Sequence, residues 1–336
     1  MKNQQPISVV VTVRNEANSI VEFLHSLATQ TRHPDEVVIV DGGSKDETVD
    51  RIRSCGDLRI CLREEPCNIA RGRNIGIEHA RYDAIAVTDA GCFLAPDWLA
   101  NISAGLDNAD VAVGNYRPRI NSLFDACQYS LTSLFGSDTA LEHFTISSRS
   151  LAFRRSVWQD VGGYPEWLDY SEDAYFHDQL KRHGYRIAFR PDAVVEWELR
   201  KTVRDIFIQF FRYMRGEAIG LRHTARNTLR YLTYTSAGLC ACFCFRHPAV
   251  LLPLAFGLAL YLSAPLRNFR RLGVYRLGCR ATVYIAAMLV CVDCAKMAGY
   301  ASGLLAVIKA RHEYHTTAPT VSHPGPGLSK YRSLSR

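Results

Sequence analysis

Three clusters of polar residues carry the groups best suited to chemistry, and each comes directly after a short apolar run. They are Arg14-Asn15-Glu16, Asp41-Gly42-Gly43-Ser44 and Asp89-Ala90-Gly91-Cys92. A carboxylate can hold a divalent cation or accept hydrogen bonds from a sugar or a base, and an arginine can neutralise a phosphate. Together the clusters predict a site for a phosphorylated, nucleotide-like ligand.

Asp41 and Asp89 are the leading candidates for ligand binding. The glycines after Asp41, including Gly43, let the backbone pass close to a nucleotide while the carboxylate faces its base or ribose. Asp89 is suited to hold a divalent cation that neutralises a diphosphate. Each aspartate equally fits a simple turn or helix cap, which is the alternative interpretation.

Further charged residues are predicted to lie beside these clusters in the folded chain. Arg14 and Glu16 follow the first apolar run, in which Thr12 is a polar member, and Arg73 lies near the start of a later helical stretch. Taken singly, charges of this kind are also typical of a solvated surface.

Two acids, Glu172 and Asp173, follow Ser171 at the start of another helical stretch. One interpretation makes Asp173 a general base that takes a proton from a hydroxyl group. The other makes Ser171 a helix cap and assigns the acids to the helix dipole. Later, Gln209 and Arg212 share a helix face and either reach a diphosphate or belong to a basic interfacial helix.

The first ninety residues alternate between apolar strands and helical stretches. The predicted strands are Ile7–Val13, Glu36–Val40, Leu58–Leu62 and Ala84–Thr88. This alternation predicts an α/β fold with a mostly parallel sheet flanked by helices, and ligands bind such sheets beyond the carboxyl ends of the strands. Periodicity is weak between Val111 and Phe153.

Charge and hydropathy divide the chain into two parts. Residues 1–198 carry a formal charge of −9 and residues 199–336 carry +16. The basic part contains three apolar runs, and basic residues beside apolar runs favour an anionic membrane surface over nucleic acid as a partner. The runs are Tyr231–Phe245, Pro248–Leu266 and Ala281–Ile308.

The eleven cysteines have no metal-binding spacing, and the N-terminus has no secretory pattern. Both features predict that the acidic part faces the cytoplasm and that the chain is held at the cytoplasmic, or inner, membrane. No nucleic-acid partner is expected.

In the order of their motifs, residues 7–215 resemble the family 2 glycosyltransferases of the GT-A fold. The resemblance rests on VVVTVRNEANSI, VVIVDGGSKDET, NIARGRNIGIEHA, AIAVTDAGC, GYPEWLDYSEDAYF and QFFRY. It implies a catalytic domain over residues 1–200. Charge, hydropathy and composition predict a basic interfacial segment over 201–230, two or three membrane helices over 231–310 and a disordered tail over 311–336.

The resemblance also implies a reaction and the residues that perform it. A sugar would pass with inversion from a nucleotide-diphosphate donor to a lipid-linked or glycan acceptor, for surface polysaccharide or glycolipid synthesis. Asp173 would act as the base beside Glu172, and Asp89 would meet the diphosphate and its metal. The remaining predicted contacts with the donor are Thr12, Arg14, Glu16, Asp41, Gly43, Arg73, Gln209 and Arg212.

Two positions depart from the family pattern. Gly91 stands where the second aspartate of the D-x-D motif is expected, so Mg²⁺ or Mn²⁺ would have one fewer ligand. Tyr213 replaces the tryptophan of the Q-x-x-R-W motif, which is associated with processive members. The basic part has at most three apolar runs, and a long secretion channel would need more, so addition of one sugar is favoured. The alternatives are transfer to a polyprenyl phosphate, and a catalytically silent membrane scaffold that binds a sugar nucleotide.

Overall fold

The computed structural model describes residues 5–132, 146–244 and 246–317. The chain divides into two units, each with its own hydrophobic core. The first unit comprises Met1–Arg119 and Phe135–Leu199, and the second comprises Ile120–Leu134 and Arg200–Arg336.

An eight-stranded sheet forms the centre of the first unit. Its strands are β1 (Ile7–Val13), β2 (Glu36–Asp41), β3 (Ile60–Glu64), β4 (Ala84–Asp89), β5 (Cys92–Leu94), β6 (Val111–Arg119), β7 (Leu151–Arg154) and β8 (Ile187–Glu198). The order across the sheet is β3-β2-β1-β4-β7-β6-β8-β5.

One half of the sheet is parallel, because β3, β2, β1 and β4 all run in the same direction. Alternate residues of β1 enter different cores, with Val9 and Val11 on one face and Val10 on the other, and all three are buried. Burial on both faces explains why this strand reads as a continuous β-branched run. The predicted α/β fold is confirmed.

The other half of the sheet is mixed. β7 pairs antiparallel with both β4 and β6, and β5 pairs antiparallel with β8. β6 and β8 are parallel, with an irregularity between Gly114 and Asn115. The parallel arrangement predicted from the first ninety residues therefore ends at β4. β5 and β7 are three and four residues long, too short to show a periodic pattern.

Helices cover both faces of this sheet. They are α1 (Ile20–Ala28), α2 (Thr48–Arg53), α3 (Ile69–His79), α4 (Trp98–Ala104), α6 (Arg155–Asp160) and α7 (Glu172–Arg182). α3 lies very close to β1, since a Cβ atom added at Gly76 would be 2.5 Å from Val10 Cγ1. A larger residue at Gly76 would push the helix away from the strand.

The second unit is helical. Its helices are α5 (Leu123–Thr132), α8 (Val203–Ile219), α9 (Thr224–Phe243), α10 (Leu251–Leu272) and α11 (Cys279–Thr317). Ile206 of α8, Phe269 of α10 and Ile285 of α11 are buried in one cluster. The backbones of α8 and α11 are in close contact. A Cβ atom added at Gly303 would lie only 2.6 Å from the Arg215 carbonyl oxygen.

Within the described part of the second unit, two helical stretches are long and apolar enough to cross a membrane. They are Pro248–Leu272, with 25 residues, and Cys279–Ala310, with 32 residues. Only 6% of the apolar window of the first is buried, against 33% for the second. A core helix would be mostly buried, so the exposed apolar surface of α10 suits a lipid environment. The predicted run Tyr231–Phe245 lies largely in α9, which does not meet the same criterion.

A polar cluster joins α9, α10 and α11. Asp293 of α11 is buried and accepts hydrogen bonds from the Tyr234 hydroxyl, at 2.6 Å, and from the Tyr261 hydroxyl. Arg230 Nε lies 3.5 Å from the same carboxylate. An acid among apolar helices needs such partners, because an unpaired charge there is costly.

The predicted disordered tail begins too early in the sequence. α11 continues to Thr317, so residues 311–317 are helical. The Thr- and Pro-rich composition begins only at Thr316. Residues 318–336 lie outside the described part of the chain.

Candidate active site

Asp41 is the last residue of β2, and its carboxylate is hydrogen-bonded to the loop that follows this strand. Its oxygens accept hydrogen bonds from the backbone N–H groups of Gly43, at 3.1 Å, and Ser44, at 3.0 Å, and from the Ser44 hydroxyl. The side chain is 3% exposed. Gly43 has φ of +92°, a conformation that glycine adopts without strain. Asp41 therefore stabilises this turn, and the predicted contact with a nucleotide stays a prediction.

The loop after β1 is tied to the loop after β2. The Asn15 N–H donates to Ser44 Oγ at 2.9 Å, and the Glu16 N–H donates to Thr48 Oγ1 at 2.8 Å. Arg14 is exposed at this edge. These bonds place the predicted residues Arg14, Glu16 and Asp41 along one edge of the sheet, the rim formed by the loops after β1 and β2.

Thr12 lies one residue inside that rim. It is the register partner of Asp89 on β4 and of Val40 on β2. A Cβ atom added at Gly72 of α3 would be 2.9 Å from Thr12 Cγ2. The methyl group of Thr12 thus packs against α3, while the strand brings Asp89 to the same edge as Asp41.

Arg73 is the centre of the site. Its guanidinium donates from NH2 to Asp89 Oδ1 at 2.8 Å and from NH1 to Glu172 Oε1 at 2.5 Å. It also lies over the Tyr164 ring, with Cζ 5.2 Å from the ring centroid. The side chain is 2% exposed. Arg73 therefore joins the end of β4 to the start of α7, which makes it a positioning residue in this structure.

The charges around Arg73 shift the neighbouring carboxyl groups in opposite directions. Burial alone would raise the pKa of Asp89, but the guanidinium groups of Arg73 and Arg149 outweigh burial and lower that pKa. Burial and the charge of Asp173 raise the pKa of Glu172 to about 7, against the opposing effect of Arg73. Asp89 stays ionised at neutral pH, whereas Glu172 titrates there.

Asp173 differs from Glu172 in accessibility. Glu172 is buried, but Asp173 is only half-buried. The Asp173 carboxylate accepts from the Ala174 N–H at 2.7 Å and from Ser147 Oγ at 3.5 Å. The predicted cap residue, Ser171, makes no side-chain cap bond and has φ of +64°. Of the two acids, Asp173 is the one that a substrate can reach.

Two residues of this site, Ser147 and Arg149, were missed from the sequence. Arg149 lies over the Trp197 ring, with Cζ 5.3 Å from the centroid, and its NH1 donates to Ser147 Oγ at 3.2 Å. Both residues come before β7, and β7 runs antiparallel to β4. Residues that stand before an antiparallel strand reach this edge from the opposite direction, so a pattern of polar residues after strands does not include them.

Asn74, beside Arg73, has a structural role. Its side-chain oxygen accepts from Trp158 Nε1 at 2.9 Å and from the Tyr164 N–H at 2.8 Å, and its amide donates to the Tyr164 carbonyl at 2.9 Å. These bonds hold the segment before α7 against α3. Asn74 thereby fixes the Tyr164 ring on which the Arg73 guanidinium rests.

The predicted residues Gln209 and Arg212 belong to the second unit. Both lie on α8, where Gln209 donates to the Tyr213 hydroxyl at 3.0 Å and accepts from Arg200 Nε at 3.3 Å. A tryptophan, which carries only a donor, could not accept this bond at position 213. The structure brings Asp89, Arg73, Glu172 and Asp173 together, and the diphosphate contacts of Gln209 and Arg212 stay predictions.

Metal binding at this site would depend on Asp89 as the protein carboxylate. Gly91 offers no carboxylate, and a Cβ atom added there would lie 3.9 Å from Glu16 Oε2. Among the residues that the structure describes, no group of three or more His, Cys, Asp and Glu side chains is arranged to hold a metal ion. Asp89 fits a cation that takes its other ligands from a substrate.

Two sequence families match the chain. The family described as "Glycosyl transferase family 2" matches residues 8–157, and the one described as "Glycosyl transferase family group 2" matches residues 89–295. The second match covers more than half of the sequence.

Two curated proteins illustrate the similarity. The O-antigen chain rhamnosyltransferase RfbN of Salmonella typhimurium is 26% identical over 221 residues, which is 61% of this chain and 70% of that protein. The succinoglycan biosynthesis protein ExoA of Rhizobium meliloti is 26% identical over 267 residues, which is 74% of this chain and 76% of that protein.

A solved structure shares the fold. The mannosyltransferase PcManGT from Pyrobaculum calidifontis, in complex with GDP-Man and Mn²⁺, superposes with a TM-score of 0.61 and 23% identity. The alignment covers 88% of each chain. The predicted GT-A fold is confirmed.

Proposed function

The chain belongs to the family 2 glycosyltransferases, and from this premise we infer that it transfers one sugar, with inversion, from a nucleoside-diphosphate donor to a lipid-linked or glycan acceptor. The enzyme would act in surface polysaccharide or glycolipid synthesis. The similarity to an O-antigen rhamnosyltransferase and to a succinoglycan biosynthesis protein supports this class of product.

The observation that carries the proposal is the bridge that Arg73 makes between Asp89 and Glu172. It holds a carboxylate suited to the donor diphosphate and the acid pair at the start of α7 in one cluster. Displacement at an anomeric carbon needs the leaving diphosphate on one side and a base near the incoming hydroxyl on the other.

Asp173 is the base in this mechanism. The acceptor hydroxyl gives its proton to the Asp173 carboxylate while its oxygen bonds to the anomeric carbon. The bond from that carbon to the diphosphate oxygen breaks, and its electron pair leaves with the nucleoside diphosphate. Attack opposite the leaving group inverts the anomeric configuration. Ser147 and the Ala174 N–H orient the base, and Glu172 is held away by Arg73.

Asp89 would hold Mg²⁺ or Mn²⁺ together with the diphosphate oxygens. When bound, the cation supplies positive charge that stabilises the departing diphosphate. The Mn²⁺ in the PcManGT complex supports the use of a divalent cation. The lowered pKa of Asp89 keeps the carboxylate available to such a cation at neutral pH.

The rim formed by the loops after β1 and β2 would receive the nucleoside. Gly43 and the exposed Arg14 lie there, and backbone close to a glycine allows a flat base or a ribose to approach. Thr12 and Glu16 complete this part of the proposed donor site. The exposed apolar surface of α10 and the positive charge of residues 199–336 support attachment to the inner face of the membrane.

The test compares Asp173→Asn with the wild-type protein in membranes. Sugar transfer from UDP-, GDP- and dTDP-sugars is measured with a lipid-linked acceptor extract, alongside the thermal shift that each donor causes. Asp173→Asn should lower transfer by about 10²- to 10⁴-fold, the usual contribution of a general base, with its donor-induced thermal shift intact.

Asp192→Asn is the matched control, because Asp192 is an exposed acid paired with Arg190. It should retain wild-type transfer. Full transfer by Asp173→Asn would remove the proposed base and favour a phosphate acceptor, which needs no proton removed. Donor binding by the wild type without transfer to any acceptor would favour the silent scaffold.

A further inference from the structure

A half-buried lysine of the second unit, Lys296 on α11, carries a charge that no acid of the protein neutralises directly. Its ammonium lies over the Phe210 ring of α8, with Nζ 5.2 Å from the ring centroid. Among the described residues, no oxygen atom accepts a hydrogen bond from this ammonium or lies close enough to form an ion pair with it. A charged group that is partly removed from water is costly without an acceptor, so Lys296 is suited to receive an anion from outside the protein.

The charged residues around Lys296 form a cluster with an excess of positive charge. The charges that act on its ammonium belong to Arg226, Arg230, Asp293 and Glu217. Asp293 lies 3.5 Å from Arg230 Nε, and Glu217 lies 3.6 Å from Arg226 NH2. Each acid therefore has an arginine of its own, and Lys296 adds a third cation to two acids. The excess of one positive charge favours an anionic ligand.

α9 and α11 bring the three cations of the cluster to one level of the helical unit. The Tyr300 hydroxyl of α11 donates to Thr224 Oγ1 of α9 at 3.1 Å, and the Tyr234 hydroxyl of α9 donates to Asp293 of α11 at 2.6 Å. A later residue of α9 thus meets an earlier residue of α11, so the two helices run in opposite directions. Both arginines of the cluster lie between these two contacts along α9, as Lys296 does along α11.

Exposed apolar surface begins immediately beyond this level. After Tyr234, α9 exposes Leu239 and Phe243, and the start of α10, which follows shortly along the chain, exposes Leu252 and Phe256. Each of these four apolar side chains is more than half exposed. With that surface in lipid, the cluster lies at the depth of the phospholipid headgroups, where basic side chains flank apolar segments.

We propose that Lys296, with Arg226 and Arg230, binds the phosphate group of an anionic membrane phospholipid. The phosphate oxygens accept hydrogen bonds from the Lys296 ammonium, and the two arginines add to the attraction. Leu229 and Leu232, on either side of Arg230, are more than half exposed, which favours a phosphate that carries acyl chains over a free phosphate ion. This lipid site is independent of the proposed sugar transfer, and its occupation would stabilise the contacts between α8, α9 and α11.

Thermal unfolding of the full-length protein in a neutral detergent, without any sugar donor, tests the lipid site. The added probes are phosphatidylglycerol, phosphatidylcholine, a polyprenyl phosphate and inorganic phosphate, each titrated separately. Phosphatidylglycerol should raise the wild-type melting temperature, because a ligand that binds the folded state stabilises it. Phosphatidylcholine, whose headgroup carries its own cation, and inorganic phosphate, which has no acyl chains, should raise it much less.

Lys296→Met should reduce the response to phosphatidylglycerol. The lipid concentration that gives half of the maximal shift should rise about tenfold, the usual effect of losing a charge-assisted contact. Without lipid, the melting temperature of this variant should not fall below that of the wild type, because the variant no longer holds an ammonium without an acceptor. A residue with a purely structural role would instead lower the melting temperature and leave the lipid response unchanged.

Three further variants complete the design. Lys296→Arg keeps the charge and should keep most of the response to phosphatidylglycerol. Arg226→Gln changes a side chain that is 53% exposed, should also weaken the response, and replaces Lys296→Met as the test variant if that protein does not fold. Arg276→Met is the matched control, because it removes one positive charge from the exposed connection between α10 and α11 and should respond like the wild type.

Several outcomes would overturn the lipid site. The same response to phosphatidylglycerol in the wild type and in Lys296→Met would exclude Lys296 as the binding residue. An equal loss in Arg276→Met would show that the charge of the whole basic unit, and not this cluster, attracts the lipid. A shift that depends on Lys296 but appears only with inorganic phosphate or polyprenyl phosphate would exclude a phospholipid as the occupant. None of these results bears on sugar transfer, which the Asp173→Asn comparison measures separately.

Discussion

At the scale of single residues, the site separates two neighbouring acids by their surroundings. Glu172 is buried against Arg73, and Asp173 is half-buried beside Ser147. The two adjacent acidic residues therefore differ in their contacts and in their exposure to solvent. Through Arg73, Glu172 anchors α7 to the end of β4, and Asp173 stays accessible, as the base proposed above must be.

Glu172→Gln should change how thermal stability depends on pH. Burial and Asp173 raise the pKa of Glu172 from 4.5 to about 7 in the folded protein. Between those values the folded state binds more protons than the unfolded state, so the free energy of unfolding falls as pH rises and levels off above about pH 7. Glutamine does not titrate. The melting temperature of Glu172→Gln relative to wild type should therefore be higher at about pH 8 than at about pH 5.

The comparison is made by thermal unfolding in detergent across that pH range. Glu78→Gln, which changes an exposed glutamate on α3, should shift the melting temperature equally at both pH values. A Glu172→Gln difference that stays constant, or that shrinks as pH rises, would show that Glu172 is not the titrating group.

Sequence patterns identified some of these residues and missed others for a physical reason. Asp89 and Arg73 were predicted, and the structure brings them together. Arg149 and Ser147 were missed because their strand is antiparallel, so they stand before it in the chain. The pairing of Arg73 with Glu172 joins residues 99 positions apart, and no local spacing reports such a contact.

At the scale of elements, the backbones of α8 and α11 pack very closely at two glycines of α11. Cβ atoms added at Gly299 and Gly303 would collide with Phe211 and with Arg215 and Ala218, respectively. The two glycines lie one turn apart, on the face of α11 that meets α8. Small residues at this spacing allow helix backbones to approach closely, as in membrane helix pairs.

Gly303→Val should destabilise the second unit. The added side chain must displace the α8 backbone, and overpacking of this kind costs about 1 to 3 kcal/mol. The melting temperature of the detergent-solubilised protein should fall. Gly257→Val on α10 is the control, because nothing lies within 4 Å of a Cβ atom added there. Equal melting temperatures for both variants would contradict close α8–α11 packing.

The predicted bounds agree with the structure for strands that are buried on both faces. β1 has the predicted bounds, and β2 and β4 each extend one residue beyond them, to Asp41 and Asp89. Those strands are dominated by Val, Ile and Ala, so their pattern is strong. The second half of the sheet was not foreseen, since its pairing depends on short strands and on contacts between distant segments.

At the scale of the whole molecule, the amino-acid composition already separates an acidic part from a basic, apolar part near residue 198. The structural division places Leu199 in the first unit and Arg200 in the second. The composition could not show that residues 120–134, in the middle of the acidic part, also belong to the second unit. α5 joins that core through Ala126 and Cys127, which are buried beside residues of α11.

The protein should behave as an integral membrane protein. Leu252, Phe256 and Leu260 of α10 are more than half exposed, and such apolar surface is stable in lipid rather than in water. Membranes containing the wild type are washed with high salt and then with alkaline carbonate, and the protein should stay in the pellet through both washes.

A double variant, Leu258→Arg and Leu260→Arg, provides the comparison. Each arginine costs roughly 2.5 to 3.5 kcal/mol at the centre of a membrane helix, so a larger fraction should appear in the carbonate supernatant. Release of the wild type by salt alone would mean that charge, and not the apolar surface of α10, holds it to the membrane.

In a bilayer, the backbone contact at Gly299 would also link the protein to the thickness of that bilayer. Gly299 has no side chain to separate α11 from the Phe211 carbonyl, so we expect α8 to tilt together with α11. A helix that crosses a bilayer takes its tilt from the hydrophobic thickness around it. With α11 in lipid, the orientation of Gln209 and Arg212 would follow the length of the acyl chains, and lipid composition would then change the geometry of α8.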